Sequence, residues 1–453
     1  MKSINPTNGE VVAEYPEHDE SEVDARLEAA HQAFREWRRV SFSERAEAMA
    51  RAGEILEKRK DELAKLMAIE MGKPVAAGRA EAEKCAWVCR FYGDEAELML
   101  ADQPVETERS KSYIHHEPLG VVLAIMPWNF PFWQVFRFVA PALMAGNAGV
   151  LKHASNVSGC AVRIEEIMEE AGFPVGLFST LLIGSGEVGK VLEDPRVVAA
   201  TLTGSEPAGR AVAAKAGSLL KKTVLELGGS DPYLILADAD LEKAAAICAQ
   251  SRTINNGQSC IAAKRFIVVD EVAESFTQVF VKEMAAYQMG DPLDEETRLG
   301  PLARRDLRDE LHQQVTRSLD AGAKPLLGGE IPAGPGAFYP ASVLGEVKEG
   351  MAAYSEELFG PVAAVISVPS EDEAVRVAND TSFGLGAAVF SADVERAEHL
   401  AATRLEAGCC FVNSLVASDP RLPFGGVKAS GYGRELSMLG IKEFVNQKTV
   451  VVA

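Results

Sequence analysis

From about Gly120 onward, short apolar runs alternate with stretches of helical spacing. The runs are GVVLAIM (120–126), GVLK (149–152), TLLIG (180–184), VVAATLTG (197–204) and KTVLELGG (222–229). Strands joined through helices return parallel and cross over right-handed, so this alternation predicts a parallel sheet covered by helices. A second alternating region runs from about Pro232 to Gly426 and includes DPYLILADAD, KRFIVVD, GPVAAVISV, AAVFS and CCFVN. The fold class expected is α/β, with two such units in one chain. Open α/β sheets bind ligands beyond the carboxyl ends of their strands. The residues just after each run are therefore the ones to search for chemistry.

The rest of the chain supports this frame. Residues 20–98 show helical spacing: one helix from the Ser of SEVDARLEAAHQAFREW, one through SERAEAMARAGEILEKRKDELAKLMAIEMGKP, and one from Val75 to Leu98. The last stretch, EFVNQKTVVVA, reads as a terminal strand whose open edge needs a cover. A length of 453 residues allows two to four domains. The net charge of −20 repels phosphate backbones, which argues against nucleic acid as a partner. No apolar stretch is long enough for a membrane span. Seven cysteines without a disulfide spacing point to a reducing compartment, most simply the cytoplasm. Cys85 and Cys89 read as packing residues, as do Cys409 and Cys410. His115 and His116 read as surface or interface residues. No metal site is expected.

Three residues at strand or loop ends carry chemistry. Cys260, in NNGQSC, lies in a small polar loop where a thiol can be reached and activated. Glu226 ends the strand of KTVLELGG; a carboxyl in apolar surroundings is costly unless it has a task. Asn129 sits in PWNFP directly after GVVLAIM, between two stiffening prolines. A rigid amide there suits an oxyanion. Together they outline a thiolate attack on a carbonyl, an oxyanion donor, and a base for water. Read alone, each also has a bland alternative: an ordinary loop thiol, a strand-end carboxylate, a capped turn.

PWNFP, LTGS, LELGG, GQSC, EELFGP and PFGGVKASGYGRE stand in the order found in the aldehyde dehydrogenase superfamily, and the chain resembles that family along its whole length. Its details, such as MPWNFPFWQVFR and KHASNVSGCA, are most similar to bacterial NAD(P)-dependent succinate-semialdehyde dehydrogenases. The resemblance implies a variant Rossmann cofactor domain over 1–105 and 120–228 and a second α/β catalytic domain over 229–428. It also implies a small β oligomerisation element from 106–119 and 440–453, in a homodimer or homotetramer. It implies Cys260 as nucleophile, Asn129 as oxyanion donor with the Cys260 N–H, and Glu226 as base for deacylation. Lys152 would meet the adenosine ribose, Ser205 the pyrophosphate and Glu357 the nicotinamide ribose. Phe359 would pack near the nicotinamide, and Trp128 would line the cleft.

Some positions depart from that pattern. Gly184 to Gly189 match G-x-G-x-x-G, but no acidic strand end follows at the usual distance, so these glycines are expected mainly to permit close helix packing. Three residues after Lys152 stands Ser155, where many NAD-preferring relatives have Glu; NADP is then tolerated alongside NAD. The resemblance places Arg137 at the far carboxylate of the substrate, with Trp133 on the same helix face, and a structural ion pair is the alternative. A second Arg found in some relatives is Ile254 here; Arg421 is a candidate replacement and Ser418 a further hydrogen-bond donor. The expected reaction is oxidation of an aldehyde to its acid through a thioester, with succinate semialdehyde as substrate. Another aliphatic, aromatic or amino-aldehyde, or a non-catalytic protein on the same fold, are the alternatives.

Overall fold

The computed structural model describes residues 1–453. Six strands form a first sheet in the order Gly431–Tyr432, Lys222–Glu226, Val197–Thr203, Val121–Met126, Ala148–His153 and Phe178–Thr180. All its pairings are parallel except that of Gly431–Tyr432, which runs antiparallel to Lys222–Glu226. The central strand Val121–Met126 is buried almost throughout, as a sheet covered on both faces requires. The antiparallel addition brings the segment after Tyr432, with Glu435, beside the strand that ends in Glu226.

A second sheet has seven strands, ordered Lys324–Leu327, Ser342–Gly345, Val362–Val368, Arg265–Val269, Pro232–Ile235, Gly386–Phe390 and Cys409–Val412. It has a buried cluster on each face: Leu234 and Ile267 belong to one, Tyr233, Ile235, Phe266 and Val268 to the other. This two-residue alternation is what a strand packed on both sides dictates. The fold is α/β, as its alternation of apolar runs and helices predicts.

Local details differ from the sequence reading. The first helix is Glu20–Trp37, and its cap is Asp19 rather than Ser21; Asp19 and Glu22 close a capping box, 2.9 and 2.8 Å. The stretch read as one second helix breaks at Arg59 into Phe42–Lys58 and Lys60–Met71. Gly72 ends the latter with a φ of 77°, and a Cβ there would lie 2.7 Å from the Pro301 carbonyl oxygen. The strand placed at 180–184 lies at Phe178–Thr180, ending at the first residue of that run. Ser342–Gly345 and Lys324–Leu327 lie outside the apolar runs read from sequence; the latter is an exposed edge carrying Pro325. Cys85 and Cys89 are buried, but Cys409 and Cys410 are only half-buried, because their strand is at the sheet edge.

The terminal strand Val445–Val452 pairs antiparallel with Lys111–Pro118 over eight residues, and Gln103–Pro104 covers the other side of that partner. Its cover is thus first of all its own chain. Its outer edge remains unpaired in the three-stranded sheet. No helix is long and apolar enough to cross a membrane.

Candidate active site

Cys260 stands where two cavities meet. One, of about 410 Å³, is walled by Trp128, Asn129, Ser205, Gly228, Glu357 and Phe359 among others, with Cys260 in its wall. The other, of about 230 Å³, is walled by Lys84, Phe130, Trp133, Arg137, Ser418 and Phe424 among others, again with Cys260. A thiol at such a junction can meet one ligand from each side.

The loop that carries Cys260 is fixed from several directions. Asn255 and Asn256 both adopt positive φ, 53° and 58°. Such strain persists only where surroundings hold it. Asn255 Nδ2 donates to the Asn129 carbonyl at 2.6 Å, and Asn256 Nδ2 to the carbonyls of Gly72 and Pro301. Gly257 also has positive φ, and a Cβ there would lie 2.2 Å from the Gly360 carbonyl carbon. The NNGQSC and EELFGP motifs therefore pack backbone to backbone. Lys264, fully buried, donates to the carbonyls of Ser259 and Cys260 at 2.8 and 2.6 Å. Burial pushes the Cys260 thiol up to about 12, while the nearby Lys264 and then Arg137 pull it down. Burial thus favours the thiol of Cys260 over its thiolate.

Asn129 is buried and donates through Nδ2 to the Gln258 carbonyl at 3.1 Å. Its turn is held by Glu81, whose Oε1 accepts from the backbone N–H groups of Phe132 and Trp133, each at 2.9 Å. These are orphan donors at the start of the helix Trp133–Met144. The prolines alone do not fix the amide; a carboxylate from a distant helix completes it.

Glu226 is buried, and neither carboxylate oxygen has a hydrogen-bond donor. It lies in the wall of neither cavity, although the next residues, Leu227 and Gly228, line the larger one. Burial raises its pKa well above the carboxylate range, with Glu435 adding to the rise and Arg137 opposing it. Glu435 is itself raised by burial and drawn back by Arg137. Gly425 leaves room for this carboxyl: a Cβ there would lie 2.5 Å from Glu226 Oε1. A carboxyl whose proton affinity is raised in this way is suited to accept a proton.

In the larger cavity, Trp128 and Phe359 meet edge-on at 5.7 Å between ring centroids. Glu357 Oε1 accepts from the Gly229 N–H at 3.0 Å, and only glycine at 228 admits its other oxygen, 2.5 Å from a Cβ built there. Ser205 begins the helix Glu206–Ser218 without a side-chain cap bond, so its hydroxyl and the first N–H groups are free for an anion. Lys152 and Ser155 stand outside the walls of the 410 Å³ cavity, at the end of the adjacent strand Ala148–His153. Lys152 is a partly buried cation whose pKa is lowered by burial alone. Ser155 is exposed. The expected packing role of the glycines fails: a Cβ at Gly189 meets nothing within 4 Å, and at Gly184 only Glu17 at 4.0 Å. Open space there leaves the backbone accessible instead. This cleft fits a dinucleotide, with an unpaired cation, free helix N–H groups and an aromatic pair along one sheet edge.

On the other side, Trp133 and Ser418 line the smaller cavity, as does Ile254. Arg421 does not. It is exposed, binds Asp419 through two hydrogen bonds of 2.9 and 2.6 Å, and lies over Trp87 at 5.6 Å. An adjacent acid captures it before it can reach the cavity. Arg137 does line the cavity, but its guanidinium is ion-paired with buried Glu435 and sits over Phe424 at 4.8 Å. The structural ion pair, the alternative reading, describes it. Arg137→Ala is therefore expected to destabilise the fold by about 3–5 kcal/mol, because it leaves Glu435 buried without its partner. Urea unfolding measures this, and an unchanged midpoint would refute it. Sequence reasoning missed Lys84, in the helix Val75–Met99 treated as scaffold; among Glu81, Glu83 and Cys85 it looks like one more solvated charge.

The Aldehyde dehydrogenase family model matches residues 1–450. This chain belongs to the aldehyde dehydrogenase family. It is 50% identical over 453 residues, all of both chains, to a probable succinate-semialdehyde dehydrogenase [NADP(+)] of Synechocystis sp.. It is 49% identical over 456 residues, again covering all of both, to succinate-semialdehyde dehydrogenase [NADP(+)] 1 of Mycobacterium tuberculosis. Among solved structures it superposes on succinic semialdehyde dehydrogenase from Streptococcus pyogenes, in complex with NADP+, with a TM-score of 0.97. That match has 39% identity and covers 100% of this chain and 99% of the other.

Proposed function

We propose that this aldehyde dehydrogenase oxidises succinate semialdehyde to succinate, with NADP+ accepted at least as well as NAD+. The observation that carries the reading is the smaller cavity: it ends at Cys260, is walled by Trp133, Phe130 and Phe424, and holds the cations Lys84 and Arg137. Apolar walls suit a short chain and the positive charge suits an acid at its far end. The names of the Synechocystis and Mycobacterium relatives point the same way.

Cys260 gives up its thiol proton to solvent in the cavity, Sγ then adds to the aldehyde carbon, and the carbonyl oxygen gains the electron pair. Asn129 Nδ2 and the Cys260 N–H hold that oxyanion. A nicotinamide bound in the larger cavity would supply the hydride acceptor. The acyl group then remains on Cys260 as a thioester. Glu226 takes a proton from water, whose oxygen adds to the thioester carbon, and the Cys260 thiolate leaves as the acid forms. Lys152, Ser155, Gly184, Gly189 and Ser205 would hold the nucleotide, while Glu357, Phe359 and Trp128 would hold its nicotinamide end.

A steady-state panel of aldehydes with both cofactors tests this. Succinate semialdehyde is expected to give the highest kcat/KM and succinate as product; a preference for butanal would remove the substrate assignment. Cofactor choice has its own test. Ser155→Glu places a negative charge where a 2′-phosphate would sit, so KM for NADP should rise much more than KM for NAD. Equal changes for both would place Ser155 elsewhere.

We also assign residues 1–105 and 120–228 to the cofactor domain and 229–428 to the catalytic domain. Residues 106–119 and 440–453 form the oligomerisation element of a homodimer or homotetramer. The open outer edge of Val445–Val452 supports the last assignment; a monomer by light scattering would overturn it. The seven unpaired cysteines suit a cytoplasmic enzyme, which fractionation of the source cells tests.

A further inference from the structure

Lys84 is a cation in the smaller cavity without an anion. It projects from the helix Val75–Met99, where Ala77, Ala80, Glu81 and Lys84 recur at helical spacing and all line that cavity. Its ammonium donates to Ser418 Oγ at 2.8 Å and lies over the Trp133 ring at 4.5 Å. The charged groups facing it are committed elsewhere. Glu81, from the same helix, pairs with buried Lys73 and accepts from the Phe132 and Trp133 N–H groups. Asp419, beside Ser418, is bound by Arg421. Arg137, from the helix Trp133–Met144, is bound to Glu435. Cys85 beside it is fully buried. A desolvated ammonium without a counter-charge is costly, and burial first, then repulsion from Arg137, holds this one down to about 8.

We propose that Lys84 and Ser418 form the seat for the far carboxylate of the substrate, and that Lys84 rather than Arg137 sets the preference for aldehydes ending in an acid. This rests on the reading of the enzyme as a carboxy-aldehyde dehydrogenase. Lys84 donates to Ser418 Oγ, so the Ser418 hydroxyl proton remains free to donate to the same carboxylate. A point charge and a hydroxyl then converge on one anion, while Trp133 and Phe424 cover the carbon chain. Arg137 contributes its field from behind, through a guanidinium already tied to Glu435.

The test compares kcat/KM for succinate semialdehyde and for butanal, in wild type, Lys84→Met and Lys84→Arg, across pH 6.5–9.5 (roughly one and a half units either side of the expected titration). In wild type the ratio of the two should fall as pH rises through about 8, because Lys84 loses the proton that binds the acid. Taking the ratio cancels the titration of Cys260 and Glu226, which both substrates share. Lys84→Met should lower the ratio by roughly ten- to a hundred-fold, mainly through KM, and flatten its pH profile. Lys84→Arg should keep most of the preference. If wild type prefers the semialdehyde but the ratio is unchanged in Lys84→Met, or is independent of pH in wild type, the Lys84 assignment is overturned while the substrate reading stands. Equal losses for both aldehydes would also overturn it and make Lys84 a packing residue. A wild type indifferent to the carboxylate overturns the substrate reading and the seat with it.

Discussion

Replacing Cys260 by alanine is expected to abolish NAD(P)H production, with a fall in kcat of at least about four orders of magnitude. The thiolate makes the only covalent bond from which hydride can leave the aldehyde carbon. The variant should still fold. Cys260 is half-exposed to the two cavities, and the loop around it is held by Asn255, Asn256, Gln258 and Lys264 through bonds that do not use its sulfur. Cofactor titration by fluorescence should therefore give near-wild-type affinity, while product formation is lost. Appreciable turnover in this variant would end the thioester mechanism. A loss of cofactor binding as well would mean that the sulfur is structural.

Glu226→Gln should separate the two halves of the reaction. The first turnover yields a burst of about one equivalent of NAD(P)H per active site, since attack and hydride loss do not use water. Steady-state turnover then falls by about 10²–10⁴-fold, the range of a lost general base. The pH dependence gives a second readout. A base acts as its carboxylate, and burial with Glu435 nearby raises the Glu226 pKa. The deacylation-limited rate of wild type should thus climb as pH rises through that raised pKa, and this climb should vanish in the variant. Stopped-flow absorbance measures the burst; its absence, or an unchanged steady state, would assign the base to another residue. The isosteric amide keeps the fold, because a neutral side chain between Arg137, Glu435 and Gly425 needs no counter-charge.

The glycines and ion pairs show how different parts of the site became legible. Gly228 stands two residues after the strand-end Glu226, and Glu357 occupies the space that its missing side chain leaves. Gly189 matched a phosphate-loop spacing and was assigned to helix packing, yet nothing packs against it. Spacing along the chain cannot report which neighbour is near in space. Arg421 failed for a similar reason on a smaller scale: Asp419, two residues away, holds it outside the cavity.

The sequence by itself determined the α/β class, the strand ends where chemistry sits, and Cys260, Glu226 and Asn129 as the candidates. Hydrophobic periodicity and local turn chemistry are short-range, so they survive in one dimension. Only the tertiary structure decided which charges are free. Arg137 and Glu435 lie far apart in sequence and neutralise each other because Gly431–Tyr432 joins the sheet beside Glu226. Lys84 stays unpaired because Glu81 and Asp419 are engaged by Lys73 and Arg421. Burial and ion pairing depend on every element packed around a side chain, and no local pattern encodes that sum.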